Sequence, residues 1–380
     1  MALSKIDTTN MIEDVPQSKL DNNINFRNIV INGDMSIAQR GTSASSITSS
    51  SYNTCDRFQT LITTLGTWTQ SQSTDVPTGQ GFAKSLKMDC TTADASPAAD
   101  DQLAIVQRVE GQNLQYLKYG TSSAESTTLS FWVKSNKTGT YVASLMIDDA
   151  SPKLFYSTQY TISASDTWEK KTITYPGNTA QAFDNDNGSS LRIFFWLGAG
   201  SNRSGGSDYT AWTAEPGSAP YNLCPGQVNL ADSTSNEWYI TGVQLEAGTT
   251  ASDFEFLPFD VNYQRCKRYY QKTYDYGTAP GTAIENGWSW YGTDYNVSVT
   301  STFQSQGIKF ETQMRSSPSL TLYDGQGNSG KCTRYRVGAG PNHNNSSSAD
   351  LITTTNFRHF GQGTYGTGNI AFHYEASAEL

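Results

Sequence analysis

The chain has 380 residues, enough for two ordinary domains, and a formal net charge of −9. Only 16% of its residues are charged, yet 12% are aromatic, a combination that disordered chains lack and that excludes a long helical rod. An acidic surface repels phosphate backbones, so we expect no nucleic-acid partner. The most apolar run, 193–199, is shorter than a bilayer span, and the first residues lack the pattern of a secretory signal. We therefore expect neither membrane insertion nor export by a secretory route.

Residues 1–25 differ from the rest of the chain, because isolated apolar residues stand among Asp, Asn, Thr and Lys without a helical or strand period. So little apolar surface does not offset the entropy lost when such a segment becomes ordered alone. The segment is either a mobile tail or an extended arm that orders against a partner. We predict an arm, and its candidate docking side chains are Ile6, Met11, Ile12, Val15 and Leu20.

Between residues 26 and 258, short segments with strand-like alternation recur between Gly, Pro, Asn and Asp. In one of them Leu129, Phe131 and Val133 alternate with Thr128, Ser130 and Trp132. A helical pattern appears only briefly, around 109–117. Because many short strands with turn punctuation are typical of sandwiches, we predict an all-β chain with a jelly-roll β-sandwich over 26–258. Its strands are expected at 26–33, 81–90, 127–133, 141–147, 168–175, 191–197 and 238–245.

A second helical signal follows Pro258. Phe259, Tyr263, Cys266 and Tyr270 have the spacing of one apolar stripe, and cations cluster toward its end, where the helix dipole favours them. We predict a helix at 259–272, within a connector over 259–275. Its stripe packs either on its own domain or against copies of itself.

The strand pattern resumes in the last part of the chain, which we predict to be a second β-domain over 276–380. The Gly-, Asn- and Ser-rich stretches at 324–330 and 340–348 are typical of loops, and the second contains His343. Strands are expected at 288–291, 295–303, 307–314, 319–323, 331–337, 351–357 and 370–374.

Residues with reactive side chains form no catalytic or ligand-binding motif. The five cysteines are widely spaced and odd in number, so we expect small buried thiols and neither a disulfide framework nor a zinc site. The segment 184–188 resembles the start of a calcium loop, but Ser189 and Phe195 stand where an EF-hand needs Gly and Glu. We therefore expect no metal, no cofactor and no enzymatic activity.

Two tryptophans of the C-terminal part attract attention. Trp288 and Trp290 are two residues apart in a predicted strand, so they lie on one face, with Tyr291 next to them. Flat aromatic rings stack on the apolar faces of sugars, which makes these three residues candidates for glycan binding. The alternative is that the tryptophans belong to a core or a subunit interface.

Seven sequence strings carry a family resemblance in combination: NFRNIVINGDMSIAQRG (25–41), CDRF (55–58), LSFWVKS (129–135), GTY (139–141), ITGVQLEAG (240–248), FEFLPF (254–259) and CKRYY (266–270). Together they resemble a family of tailed-bacteriophage virion proteins, which comprises tail fibres and other appendages. The resemblance extends over roughly 25–272, and it transfers no catalytic residue because the matched strings are structural.

This resemblance implies a jelly roll similar to carbohydrate-binding modules, assembly into a homotrimer and attachment to the phage particle. The expected protein is a tail fibre that is synthesised in the host cytoplasm, docks to virion proteins through residues 1–25 and contacts a host-surface glycan with its distal β-domain. Two alternatives stay open, a head fibre or decoration protein attached to the capsid, and a polysaccharide depolymerase.

Overall fold

The computed structural model describes residues 26–207, 209–293, 300–336, 338–364 and 368–380, so the predicted arm and its docking side chains lie outside the described residues. The fold is all-β, as the composition predicts. The strands of the sandwich are β1 (Ser43–Ile47), β2 (Ser51–Tyr52), β3 (Gln59–Thr63), β4 (Thr67–Ser73), β5 (Ser85–Thr92), β6 (Gln102–Glu110), β7 (Thr127–Ser135), β8 (Gly139–Ile147), β9 (Leu154–Ile162), β10 (Glu169–Tyr175), β11 (Ser189–Ala199), β12 (Thr213–Ala214) and β13 (Glu237–Ala247).

Two antiparallel sheets form this sandwich. Sheet I has the strand order β1-β4-β5-β13-β7-β10, and sheet II has the order β12-β9-β8-β11-β6-β3-β2. The helical signal at 109–117 corresponds to two short 3₁₀ turns, Gly111–Asn113 and Gln115–Leu117, and a third 3₁₀ turn is Leu230–Asp232. The helices are α1 (Ser201–Ser204) and α2 (Phe259–Lys267). Among the described residues, no helix combines the length and hydropathy that crossing a bilayer requires.

The core lies between the two sheets, where the predicted alternation is confirmed. On β7, Leu129, Phe131 and Val133 are fully buried, and the Phe131 ring meets the Phe195 ring of β11 edge-on at 5.1 Å. The opposite face of β11 is also covered, because Trp196 packs in a second apolar cluster with residues of the segment that follows β12. The outer face of sheet II is therefore closed by its own chain.

The strand predicted at 26–33 is absent, although these residues are ordered and largely buried. The main chain makes only two separated hydrogen bonds to β13, from the Ile29 N–H to the Leu245 carbonyl and from the Val243 N–H to the Gly33 carbonyl. Side-chain amides supply others: Asn28 binds main-chain groups of β13, and Gln107 binds both the N–H and the carbonyl of Ile31 at 2.8 and 2.9 Å. Asn32 then adopts a positive φ of 63°. The segment is an inserted loop that fills the end of the sandwich.

The C-terminal part forms a further antiparallel sheet with the order β14-β22-β19-β20-β21-β16, to which β15, β17 and β18 add short pairings. A core of aromatic and aliphatic side chains, including Phe357, Phe372 and Tyr374, covers one of its faces. The strands are β14 (Tyr270–Lys272), β15 (Ser289–Thr293), β16 (Thr300–Gln304), β17 (Ile308–Lys309), β18 (Ser319–Tyr323), β19 (Lys331–Arg336), β20 (Asn342–Asp350), β21 (Asn356–Thr364) and β22 (Gly368–Ser377).

Three predictions in this part are wrong. The strand predicted at 307–314 is reduced to β17, Ile308–Lys309, because beyond it Phe310 and Met314 make only isolated main-chain hydrogen bonds to residues 354–355. The stretch predicted as a loop at 340–348 contains most of β20, and the strand predicted at 351–357 is largely a turn, with β21 beginning only at 356. The Asn and Ser residues of β20 do not favour the strand conformation by themselves. Because β20 pairs with both β19 and β21, the hydrogen bonds to these two neighbours stabilise it as a strand. Partners in the sheet outweigh the propensity of the segment.

The helix predicted at 259–272 is shorter than expected. Helix α2 ends at Lys267, and Tyr270–Lys272 is already a strand of the C-terminal sheet. From the predicted stripe, Cys266 and Tyr263 pack with Ile31 and Ile37 of the sandwich, whereas Phe259 is 52% exposed. The division of the chain at residues 258 and 275 stays a prediction.

Candidate functional site

The structure brings two of the three predicted aromatic residues to one face of the C-terminal sheet. Trp290 lies opposite Ala371 of β22 and leaves 63% of its surface exposed. Trp288 is half-buried on the same face, with its ring 5.5 Å from Tyr335 and 6.0 Å from His373. Tyr291 points to the opposite face, where its hydroxyl lies 3.1 Å from Nδ1 of His359. We call the exposed side of this sheet around Trp288 and Trp290 the C-terminal face.

Polar groups surround Trp288 on the C-terminal face. The exposed Glu285 carboxylate accepts a hydrogen bond from the Tyr335 hydroxyl at 2.7 Å and lies 3.5 Å from Nε2 of His343. Nδ1 of His343 in turn lies 2.8 Å from the Thr333 hydroxyl. His343 is therefore held in place, contrary to its expected position in a solvent-exposed loop.

A second surface, which sequence reasoning missed, lies on the outer face of sheet I. We call it the sandwich groove, a cleft of about 240 Å³. Its apolar wall consists of Trp132 on β7 together with the rings of Phe82, Phe254 and Phe256, which lie 4.9 to 5.1 Å from one another. Phe256 is 50% exposed, so one ring of this wall is open to solvent.

A glycine shapes the floor of the groove. Gly242 interrupts β13 at a register shift and has a φ of +62°, a conformation that side chains disfavour. A Cβ there would lie 2.6 Å from the Phe82 ring and 3.1 Å from the Trp132 ring. The two rings therefore pack directly over bare backbone, which a larger residue would prevent.

Polar side chains line the rest of the sandwich groove. Gln80, Lys170 and Asp253 are exposed, and Lys170 lies opposite Trp132 in the pairing of β10 with β7. This arrangement combines aromatic faces with hydrogen-bond donors and acceptors, which is the chemistry that recognises a sugar: stacking for its C–H faces and hydrogen bonds for its hydroxyls.

An ion pair braces the sheet beside the groove. Lys134, two residues after Trp132 on β7, pairs with Asp75, and the indole N–H of Trp168 donates to the same carboxylate at 2.9 Å. Burial alone would raise the pKa of Asp75, but the hydrogen bonds from Lys134 and Trp168 hold it below its ordinary value. The carboxylate is therefore ionised at neutral pH.

The groove could have been found from one signal in the sequence. Trp132 stands on the polar side of a strand whose other side carries Leu129, Phe131 and Val133, and a large aromatic residue at such a position is exposed unless something covers it. Its partners come from residues 79–82 and 253–256, which no local pattern links to β7.

The titratable groups give no sign of a metal centre within the described ranges, where no group of three or more His, Cys, Asp or Glu residues is placed to hold an ion. Burial lowers the pKa of His359 to about 3 and that of His373 to about 4, so both rings are neutral. The five cysteines are free and buried, as expected for small buried thiols.

No family model and no curated protein sequence matches the chain. Among solved structures, it is similar to an enzymatically active domain of tailspike protein 4 from bacteriophage CBA120, at 15% identity and a TM-score of 0.31, over 58% of this chain and 21% of that one. A CBM4 structure matches at 14% identity and a TM-score of 0.28, over 57% of this chain and 97% of the other. A putative sugar binding protein from Bacteroides thetaiotaomicron matches at 13% identity and a TM-score of 0.31, over 58% and 99%. Identities of 13–15% and TM-scores of 0.28–0.31 carry no conclusion about what the chain binds.

Proposed function

We propose that the chain is a glycan-binding structural protein of a tailed-phage particle, a homotrimeric tail fibre that docks through residues 1–25 and adheres to a host-surface polysaccharide without cleaving it. The virion role is supported by the family resemblance of the strings between 25 and 270. Glycan binding is supported by the side chains of the sandwich groove.

The groove is the observation that carries the proposal. A sugar ring stacks on Trp132 and on the open side of Phe256, while Gln80, Lys170 and Asp253 bond its hydroxyls. The wall is built in advance, since Trp132 lies on a strand that is paired on both sides, with β10 and β13, and the phenylalanines pack on one another. A site built in advance in this way loses little conformational entropy when a ligand binds.

The C-terminal face is a second candidate site for the same function, as the sequence predicts for the distal β-domain. The specific observation in its favour is Trp290, whose 63% exposure leaves an indole in water beside the polar cluster at Glu285. An exposed large apolar side chain with polar neighbours is a common mark of an interaction site.

The two surfaces can be separated by single substitutions in the full chain. Binding to immobilised surface polysaccharides of candidate hosts is measured for Trp132→Ala, Trp290→Ala and the control Phe259→Ala, which removes a ring that is 52% exposed and belongs to neither surface. We expect Trp132→Ala to weaken binding by roughly tenfold, or about 1.4 kcal/mol, and Phe259→Ala to leave it unchanged. If Trp132→Ala and Trp290→Ala both bind like the wild type, the glycan proposal is refuted.

The virion role needs its own test. A chain without residues 1–25 should fold but fail to enter particles, and incorporation at wild-type occupancy would contradict docking through the arm. Localising the protein on whole particles separates a tail fibre from a capsid-attached head fibre. Release of reducing ends from the bound polysaccharide would identify a depolymerase instead.

A further inference from the structure

A third concave site lies where helix α2 meets the sandwich, and we call it the junction pocket. It encloses about 470 Å³, within the roughly 300–1,000 Å³ that small-molecule sites occupy. Three stretches of chain build it: the loop that begins at Phe26, the end of β6 with the 3₁₀ turns that follow, and the last turn of α2. It shares no residue with the sandwich groove or with the C-terminal face.

The charge of the pocket wall is unusual for a chain of net charge −9. Of the described residues that line it, three are arginines, Arg108, Arg265 and Arg268, and none is a carboxylate. The wall therefore has a surplus of positive charge that the composition of the chain does not predict.

Two of these arginines are already engaged. Arg268 donates two hydrogen bonds to the buried Glu110 at 2.7 and 2.8 Å, and the Tyr269 hydroxyl donates to the same carboxylate at 2.5 Å. Burial would raise the pKa of Glu110, but the hydrogen bonds from Arg268 and Tyr269 hold it below its ordinary value, so this pair is ionised and neutral overall. Arg108 donates to the Gln59 amide oxygen and to the main-chain oxygen of Leu380.

Arg265 is the exception. Its guanidinium forms no hydrogen bond or ion pair with any residue that the structure describes, although it is half-buried in the pocket wall. Burial lowers the pKa of this guanidinium, and the Glu255 carboxylate, which interacts with its charge without bonding it, offsets the effect only in part. A guanidinium in this position is set to receive a planar anion through two parallel hydrogen bonds.

Two aromatic rings favour a sugar as the carrier of that anion. Phe26 and Tyr116 line the pocket and are 58% and 49% exposed, so flat apolar surface stands beside the guanidinium. The exposed amide of Asn113 adds donors and an acceptor for hydroxyls. An acidic peptide would use the charge of the pocket but would have less need of two exposed rings.

We propose that the junction pocket binds a carboxylate-bearing sugar, with the carboxylate on Arg265 and the ring against Tyr116 and Phe26. The pocket shares no residue with the sandwich groove, so the two proposals succeed or fail separately. An acidic sugar unit of a host polysaccharide would then bind in the junction pocket, where a neutral sugar unit would not.

The test uses saturation-transfer NMR on the full chain with galacturonate, glucuronate and N-acetylneuraminate as probes, and galactose and glucose as neutral counterparts. We expect at least one acid to bind, binding to weaken as salt is raised, and neither neutral sugar to compete with it. Absence of a signal from all three acids, or displacement of a bound acid by its neutral counterpart, overturns the proposal.

Variants then locate the site. Arg265→Gln should weaken binding of the acid by roughly tenfold or more, as expected for the loss of a charge-assisted hydrogen bond. Arg265→Lys keeps the positive charge but loses the planar donor geometry of the guanidinium, so its affinity for the acid should lie between that of the wild type and that of Arg265→Gln. The control Arg358→Gln removes an arginine that pairs with Asp350 on the C-terminal sheet, and it should bind like the wild type. Unchanged affinity in Arg265→Gln would place the anion elsewhere and refute the assignment.

Discussion

Glu379 fastens the C-terminal part of the chain to the sandwich. Its buried carboxylate pairs with Arg57 and, at 3.1 Å, with Arg40, both of which belong to the sandwich. The two guanidinium groups also lie over tyrosine rings, Arg40 at 3.7 Å from the centre of Tyr270 and Arg57 at 3.4 Å from that of Tyr269. Arg57 is almost wholly buried, so its charge depends on this one carboxylate for an ion pair among the described residues.

We predict that Glu379→Gln destabilises the chain by about 3 kcal/mol. Breaking a buried pair by removing one partner typically costs about 3–5 kcal/mol, because the remaining charge is left without compensation. The lower end applies here, since Asp56 also lies close enough to Arg40 to interact with its charge and compensates it in part. Arg57 retains no such second carboxylate in an ion pair within the described part of the chain.

Urea denaturation followed by tryptophan fluorescence and far-UV circular dichroism measures this loss, and coincident transitions establish that one free energy of unfolding describes it. The control is Glu125→Gln, which breaks an exposed pair with Lys118 of 2.8 Å and should cost only about 0.2–1 kcal/mol. If the two variants lose equal stability, Glu379 is not the fastening that its burial and partners indicate.

Three further predictions concern stability and accessibility. Because the pKa values of His359, about 3, and His373, about 4, lie below the value of about 6.5 in an unfolded chain, the unfolded state gains protons first and the free energy of unfolding should fall as the pH drops from about 6.5 toward 4. Urea denaturation across this range checks it, and a flat profile would contradict neutral burial of the two rings. Gly242→Ala should lower the free energy of unfolding by about 1–3 kcal/mol, because the added Cβ would lie 2.6 Å from the Phe82 ring. The same variant should weaken glycan binding in the polysaccharide assay. An unchanged melting temperature and an unchanged affinity would show that the floor of the groove tolerates a side chain. A thiol reagent should modify none of the five cysteines until the chain unfolds, and rapid labelling of the folded protein would show that the thiols are not buried.

The sandwich core was predictable because burial on one face of a strand leaves a period of two in the sequence. The apolar sides of β5, β7 and β13 carry this period, and the structure places them between the sheets. The predictions failed where hydrogen-bond partners, not burial, decide the conformation. Residues 26–33 look like a strand but make only two separated main-chain bonds to β13 and take others from the side chains of Asn28 and Gln107. Residues 342–350 look like a loop but lie between two strands.

In the candidate sites too, the sequence shows what depends on neighbouring residues and not what depends on contacts between distant ones. Alternation places Trp288 and Trp290 on one face, but it does not reveal that Trp290 is exposed while Trp288 packs against Tyr335. Tyr335 comes from a strand that pairs with β22 and not with β15. The sandwich groove needs rings from three separated stretches, and the junction pocket needs an arginine from α2 opposite the turns after β6. The sequence offers one signal for such a site, Trp132 on the polar side of β7, because a large aromatic residue there needs either a covering segment or a ligand. No comparable signal marks Arg265, since its unbonded guanidinium becomes visible only once the fold places it in the pocket wall.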